Sequence, residues 1–170
     1  MFLLGLGSNK SSSFGDRFEN LNLAVSYLES YKIKIIKRSR FYETPSYPDR
    51  KNPKFINIVI EISTNLLPSD FASVLISIEE KLERKRIKKN EPRTCDIDII
   101  DYNGKVMEFS YKSLVFKVPH EKLIYRNFVL LPLQEIAPKW VHPKTKVSID
   151  MLINKLSIED KKSILKITKS

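Results

Sequence analysis

The stretch that most constrains this chain is Arg84-Lys85-Arg86-Ile87-Lys88-Lys89-Asn90-Glu91-Pro92-Arg93-Thr94-Cys95-Asp96-Ile97-Asp98-Ile99-Ile100. A run of cations passes through a proline turn into a short apolar strand that carries two carboxylates. Side chains alternate faces along a strand, so Asp96 and Asp98 point one way while Cys95, Ile97 and Ile99 point the other. The apolar face anchors the strand to a core. At ~3.3 Å per residue the two acids stand roughly 6.6 Å apart. Cations, a turn and paired acids together point to a place where a polyanion and a divalent metal meet.

Periodicity on either side supplies the rest of the sheet. Phe2 to Leu6 reads as a short strand ended by Gly7-Ser8-Asn9. Gly5-Leu6-Gly7 starts like a dinucleotide fingerprint, but Lys10 holds the third glycine position, so the glycines are expected to serve close packing. From Asp16, a plausible N-cap, Phe18, Leu21, Ala24, Val25 and Leu28 form a helical stripe. Lys32 to Glu43 is expected to be one long, half-buried strand. Pro45, Pro48 and Pro53 make the next stretch a loop. Phe55 to Ile62 is a second strand, with Ile56, Ile58, Ile60 and Ile62 on one face and Phe55, Asn57, Val59 and Glu61 on the other. Asn57 stands out, because strand interiors disfavour Asn.

Pro68-Ser69-Asp70 opens a second helix. Its core stripe is Phe71, Val74, Leu75, Ile78 and Leu82, which leaves Glu79, Glu80, Lys81 and Glu83 outward or sideways. After the strand Asp96 to Tyr102, Asn103-Gly104 is a hairpin signal. The order β-α-β-β-α-β predicts an α+β fold: a ferredoxin-like core over residues 1–104, an antiparallel sheet with helices packed on it. Residues 105–170 are read as C-terminal additions, with a weak helix from Ser148 to Leu156 and a tail beyond Ile158 that is surface helix or frayed. The whole of 1–170 reads as one domain.

Lys and Arg outnumber Asp and Glu by 30 to 20, which favours anionic partners without choosing among them. Cys95 is the only cysteine, so a disulfide within the chain and a cysteine zinc cluster are excluded. No segment approaches the ~20 apolar residues of a membrane span, and the N-terminus lacks a signal-peptide pattern. The expectation is a cytoplasmic monomer that engages no membrane.

The candidate sites follow from charge chemistry. Two partly buried carboxylates ~6.5 Å apart repel by only ~2.5 kcal/mol at an effective dielectric of 20, so spacing alone does not demand a metal. Mg²⁺, however, prefers one or two carboxylates completed by phosphate oxygens and water. Arginine offers a planar bidentate donor pair, which makes Arg84, Arg86 and Arg93 better phosphate ligands than the lysines. His120 could donate to a phosphate oxygen or be an ordinary surface histidine. His142-Pro143 reads as structural.

The segment "EPRTCDIDII" resembles the signature of the 6-hydroxymethyl-7,8-dihydropterin pyrophosphokinases of folate biosynthesis. The resemblance spans most of the chain, through "LGLGSN", "FGDRFENL", "SRFYETPSY", "FINIVIEI", "VPHEKL", "RNFVLLPLQEIAP" and "HP" in family order. It implies a ferredoxin-like α+β sandwich and transfer of diphosphate from ATP to the pterin hydroxymethyl group, giving AMP. It further implies two Mg²⁺ ions held by Asp96 and Asp98, with Arg84 and Arg93 as catalytic arginines of a mobile phosphate-gripping lid. Arg86, Ile99, Lys117, His120 and Arg126 match positions around ATP. Thr44, Pro45, Ser46, Tyr47, Phe55, Asn57 and Phe128 match the pterin site. Phe55 and Phe128 could stack on the ring, and Asn57 could pair with its polar edge.

Asn90-Glu91 stand where a tryptophan and glycine are common in the family, and Val115 and Lys117 where arginine and threonine often touch ATP. Two other readings compete. One is an RRM-like RNA-binding module, for which the stacking-aromatic motif is missing and which implies nucleic acid as partner. The other is a family member whose altered lid has cost it activity.

Overall fold

The computed structural model describes residues 1–86 and 90–168. Among these the order is β1 (Phe2–Ser8), α1 (Arg17–Ser30), β2 (Lys34–Arg38), β3 (Phe41–Thr44), β4 (Phe55–Ser63), α2 (Pro68–Lys81) and β5 (Asp96–Tyr102). A hairpin of β6 (Met107–Tyr111) and β7 (Leu114–Val118) follows, then α3 (Asn127–Ile136), α4 (Ile149–Asn154), α5 (Ile158–Lys162) and β8 (Leu165–Ile167). The main sheet runs β5-β1-β4-β3-β8, with β2 also paired to β4, and every pairing in it is antiparallel.

Local chemistry starts the helices. The Asp16 carboxylate accepts from the backbone N–H of Phe18 and Glu19 while Glu19 accepts from the N–H of Asp16, a complete capping box. Pro68 occupies the first turn of α2, where its missing N–H costs nothing. Alternation along the strands then divides the interior into two cores. Leu4, Leu6, Ile56, Ile58, Ile60, Ile97 and Ile99 pack under α1 and α2, with Phe71, Leu75 and Ile78 fully buried there. Truncating a side chain as large as Phe71 costs about 3–5 kcal/mol. Leu3, Val59 and Ile100 point to the opposite face, where Leu130, Leu133, Trp140 and Leu152 from the C-terminal third cover them.

Four expectations are corrected. Lys32 to Glu43 is two strands, because buried Ser39 interrupts the ladder: its hydroxyl accepts from Val59 N–H at 2.9 Å and its own N–H donates to Val59 O at 2.9 Å. Asn103-Gly104 turns with both residues at positive φ, but β5 does not pair with β6. The two-residue hairpin turn is Lys112-Ser113, with φ of 46° and 63°, a type I′ geometry without the usual Asn or Gly. The tail beyond Ile158 starts as the expected surface helix, α5, but then returns to the sheet, where β8 pairs with β3. Finally, Glu79 faces inward and is 3% exposed.

Candidate active site

The sheet register assembles the site. Gly7 lies opposite Asp96 on one side and Asn57 on the other, and Gly5 lies opposite Asp98 and Val59. Directly paired residues of an antiparallel sheet share a face, so Asp96, Gly7 and Asn57 form a row on the face turned away from α1 and α2. Neighbouring strands are ~4.8 Å apart, which puts roughly 10 Å between the acid and amide backbones. Glycine between them leaves a trough. A Cβ on Gly7 would come to 3.1 Å from Asn57 Oδ1 and 3.5 Å from the Phe55 ring, so the close packing expected of the glycines is present.

On the acidic side every carboxylate meets a cation. Arg84 bonds to Glu79 and, at 2.5 Å, to Asp96 Oδ1. Arg93 Nη1 reaches Asp96 Oδ2 at 3.0 Å, and Arg126 Nη1 reaches Asp98 Oδ2 at 2.9 Å. Arg86 bonds to the other oxygen of Glu79, whose carboxylate also accepts from Ile97 N–H at 2.8 Å. The two aspartate side chains keep 27% and 32% exposure, whereas that of Glu79 keeps 4%.

These pairings tune the charges. Burial pushes the Asp96 carboxyl up, but the Arg84 and Arg93 guanidiniums outweigh it and hold the group below its ordinary value. Asp98 is raised, first by burial and then by the Asp96 charge, against the pull of His120 and Arg126. Glu79 is pushed up to about 7 by burial, opposed by Arg84 and Arg86. Burial lowers His120 despite neighbouring Asp98. Cys95, buried in the core, has its thiol raised well above the ordinary range, as suits a bystander.

The neutral side is bonded to itself. Asn57 Nδ2 donates to Thr44 Oγ1 at 3.0 Å and Tyr42 O at 3.3 Å, which leaves Oδ1 as its acceptor toward the trough. Ser46 Oγ donates to Pro53 O at 2.5 Å and accepts from Asn9 Nδ2 at 3.1 Å. Arginines lie over both stacking candidates, Arg93 at 5.4 Å from the Phe55 ring centre and Arg126 at 5.5 Å from that of Phe128. A cavity of about 730 Å³ opens beside this row, lined by Lys10, Pro53, Arg84, Pro92, Arg93 and Thr94 among others. The buried Thr94 hydroxyl has no hydrogen-bond partner among the described residues.

Not every expected residue joins the cluster. Tyr47 is 87% exposed with its ring in solvent. Ile99 sends its side chain into the α1/α2 core, which leaves only its main chain for a ligand. Lys117 is held by Glu121 at 2.5 Å and Glu108 at 3.7 Å. Ile87, Lys88 and Lys89, the middle of the expected lid, lie outside the described residues. His142 is structural as expected: Nδ1 accepts from the N–H groups of Lys144 and Thr145.

A model of the family described as 7,8-dihydro-6-hydroxymethylpterin-pyrophosphokinase (HPPK) matches residues 3–138. The chain belongs to this family. The HPPK assignment makes it a transferase, an ATP-dependent pyrophosphokinase of folate synthesis. Relatives named 2-amino-4-hydroxy-6-hydroxymethyldihydropteridine pyrophosphokinase include one from Methylorubrum extorquens, 40% identical over 81% of this chain and 83% of its own length. One from Synechocystis sp. is 33% identical over 91% of this chain and 75% of its own. The chain also matches the folic acid synthesis protein FOL1 of Dictyostelium discoideum at 34% identity, but spans only 21% of it. A Plasmodium falciparum HPPK-DHPS solved with pteroate aligns with a TM-score of 0.78 over 99% of this chain and 46% of that one. At 16% identity the likeness is one of fold, and that fold is the α+β arrangement read from periodicity.

Sequence reasoning missed two members of the site. Glu79 carried a signal: it follows Leu75 by four positions and precedes Leu82 by three, both inward. Asn9 carried none, since its role comes from two loops distant in sequence.

Proposed function

We propose that this HPPK transfers the terminal diphosphate of ATP to the hydroxymethyl oxygen of 6-hydroxymethyl-7,8-dihydropterin and releases AMP. The row Asp96–Gly7–Asn57 carries the reading, because it sets an acidic platform beside an amide pocket with a glycine-floored trough between them. We read residues 1–170 as one catalytic unit, a cytoplasmic monomer whose partners are these two substrates.

Among the described residues no group of three or more His, Cys, Asp or Glu could cage a metal. Two carboxylates on one strand face instead fit Mg²⁺ ions whose remaining ligands are phosphate oxygens and water. Asp96 and Asp98 would hold two such ions, which when bound neutralise charge on the transferring diphosphate. Arg84 and Arg93 turn from Asp96 to the phosphate oxygens, where their fixed donor forks favour the charge that develops during transfer. Arg86, Lys117, His120 and Arg126 border the nucleotide, with Ile99 contributing its main chain.

The pterin enters between Phe55 and Phe128, with its polar edge on Asn57 Oδ1. Thr44 holds the Asn57 amide in place, while Pro45, Ser46 and Tyr47 belong to the loop that flanks the ring. No covalent nucleophile is required. Incubating the protein with ATP, Mg²⁺ and the dihydropterin tests the reading: AMP should appear only when all three are present. Pterin-independent release of ADP, or no consumption of the pterin, would overturn it.

A further inference from the structure

Asn9 follows β1 directly and is 2% exposed. Its side-chain amide touches both halves of the site at once. Nδ2 donates to Ser46 Oγ at 3.1 Å and to Pro53 O at 3.1 Å, the two shoulders of the loop beside the pterin trough. Oδ1 accepts from Arg93 N–H at 2.7 Å, and the Asn9 N–H donates to Arg93 O at 3.0 Å. Both amide protons and the carbonyl oxygen are therefore used. No other residue type of this size presents two donors and an acceptor on one planar group.

The anchor beneath is firm. Asn20 of α1, fully buried, donates to Lys10 O at 2.9 Å and accepts from Ser12 Oγ at 2.6 Å. The turn after β1 is thereby tied to the first core, and the two loops both bond to the one Asn9 amide. Arg93 in turn carries its guanidinium to Asp96 and over the Phe55 ring.

We propose that Asn9 is a positioning residue that couples the pterin subsite to the phosphate subsite, which rests on the function proposed above. A ring seated beside Ser46 and Pro53 fixes the Asn9 amide, and that amide fixes the Arg93 main chain that aims the guanidinium at phosphate. By linkage the effect is reciprocal: whatever factor ATP adds to pterin affinity, pterin adds to ATP affinity.

The test is calorimetric titration with the dihydropterin and with Mg²⁺ plus an ATP analogue bearing a methylene between its α and β phosphorus atoms, each alone and with the other saturating. In the unaltered protein each ligand should tighten the other by about 5-fold or more. Asn9→Asp keeps the acceptor for Arg93 N–H but loses both donors, and Asn9→Ala loses all three bonds. Both should bring the coupling factor to within about twofold of one, with analogue affinity alone near normal in Asn9→Asp. Folded variants that keep the full coupling factor overturn the proposal, as does a proportional loss of both affinities with coupling retained. If the Asn9 variants do not fold, Ser46→Ala decides: it should weaken coupling without changing analogue affinity alone, and unchanged coupling overturns the proposal. An unaltered protein that binds both ligands without coupling overturns this inference alone, whereas one that binds the analogue but no pterin overturns the proposed function together with it.

Discussion

The two halves of the site hold themselves together in different ways. On the side proposed for the pterin, Asn9, Thr44, Ser46 and Asn57 are buried and joined by neutral hydrogen bonds of 2.5–3.3 Å. On the side proposed for the phosphates, the guanidiniums of Arg84, Arg86, Arg93 and Arg126 are paired with Glu79, Asp96 and Asp98. The neutral half is preorganised, and its one acceptor toward the trough is ready for a ligand with little rearrangement. The charged half is satisfied by its own ion pairs, so ligands enter it by exchange. In the proposed reaction a phosphate would replace a carboxylate as partner of the arginine, and a metal would replace a guanidinium as partner of the aspartate. Glu79 stays behind in that exchange, because it is too deeply buried to meet a ligand.

The largest effect expected from this contrast is chemical. Asp96→Ala and Asp98→Ala should each reduce Mg²⁺-dependent AMP formation by about 10³-fold or more while the protein stays folded at the assay temperature. Turnover within tenfold of normal in either variant would break the assignment of the acidic platform.

Next comes stability. Glu79→Ala removes the carboxylate partner of Arg86, one of the two partners of Arg84 and the acceptor of the Ile97 N–H, and breaking a buried ion pair from one side costs about 3–5 kcal/mol. Urea unfolding should show a loss on that scale, and a loss below about 1 kcal/mol would mean that the arginines are held by Asp96 or solvent instead. On the neutral side, Asn57→Ala should weaken pterin binding by about 10- to 100-fold, the equivalent of one or two lost buried hydrogen bonds. Titration of the ATP analogue should be almost unchanged in that variant; equal weakening of both ligands would erase the division into halves.

The smallest effect lies outside the site. Burial holds the His142 imidazole below its ordinary value, although Asp101 pulls the other way, so the folded state takes up its proton less readily than the unfolded chain does. The stability it contributes is complete above the unfolded value near 6.5 and is lost as pH falls from there through the folded value. Between pH 7.5 and 5.5 the thermal midpoint should therefore fall relative to that of His142→Asn, whose side-chain oxygen can still accept from the N–H groups of Lys144 and Thr145. Glu79, raised to about 7, shifts both proteins equally the other way. An identical change in both proteins would place the sensitivity elsewhere, with His120 the next group to examine.

Much of this architecture was legible from local pattern. The period-two alternation of Phe55–Ser63 and Asp96–Tyr102 put Ile56, Ile58, Ile60, Ile62, Ile97 and Ile99 on one face and Asn57, Asp96 and Asp98 on the other, because strand side chains alternate whatever surrounds them. The capping box at Asp16 and the proline start at Pro68 marked both major helices, since helix ends are satisfied within a few residues. The break at Ser39 was not legible, because it depends on a hydroxyl meeting Val59 across the sheet. Nor was the hairpin turn at Lys112-Ser113, where the pairing of β6 with β7 imposes positive φ on residues that do not favour it.

For the site itself, the sequence alone determined the chemical inventory: two acids on one strand face, arginines before them, an amide and aromatics on another strand, and the family to which such a set belongs. Only the tertiary structure decided who partners whom. It turned Glu79 inward to hold Arg84 and Arg86, left Tyr47 in solvent, set glycine between the acids and Asn57, and made Asn9 the joint between two loops. The physical reason is range. Alternation and capping act over a few residues and are written in local order, whereas a hydrogen bond between Asn9 and Arg93 spans 84 positions of chain and exists only once the sheet has brought its ends together.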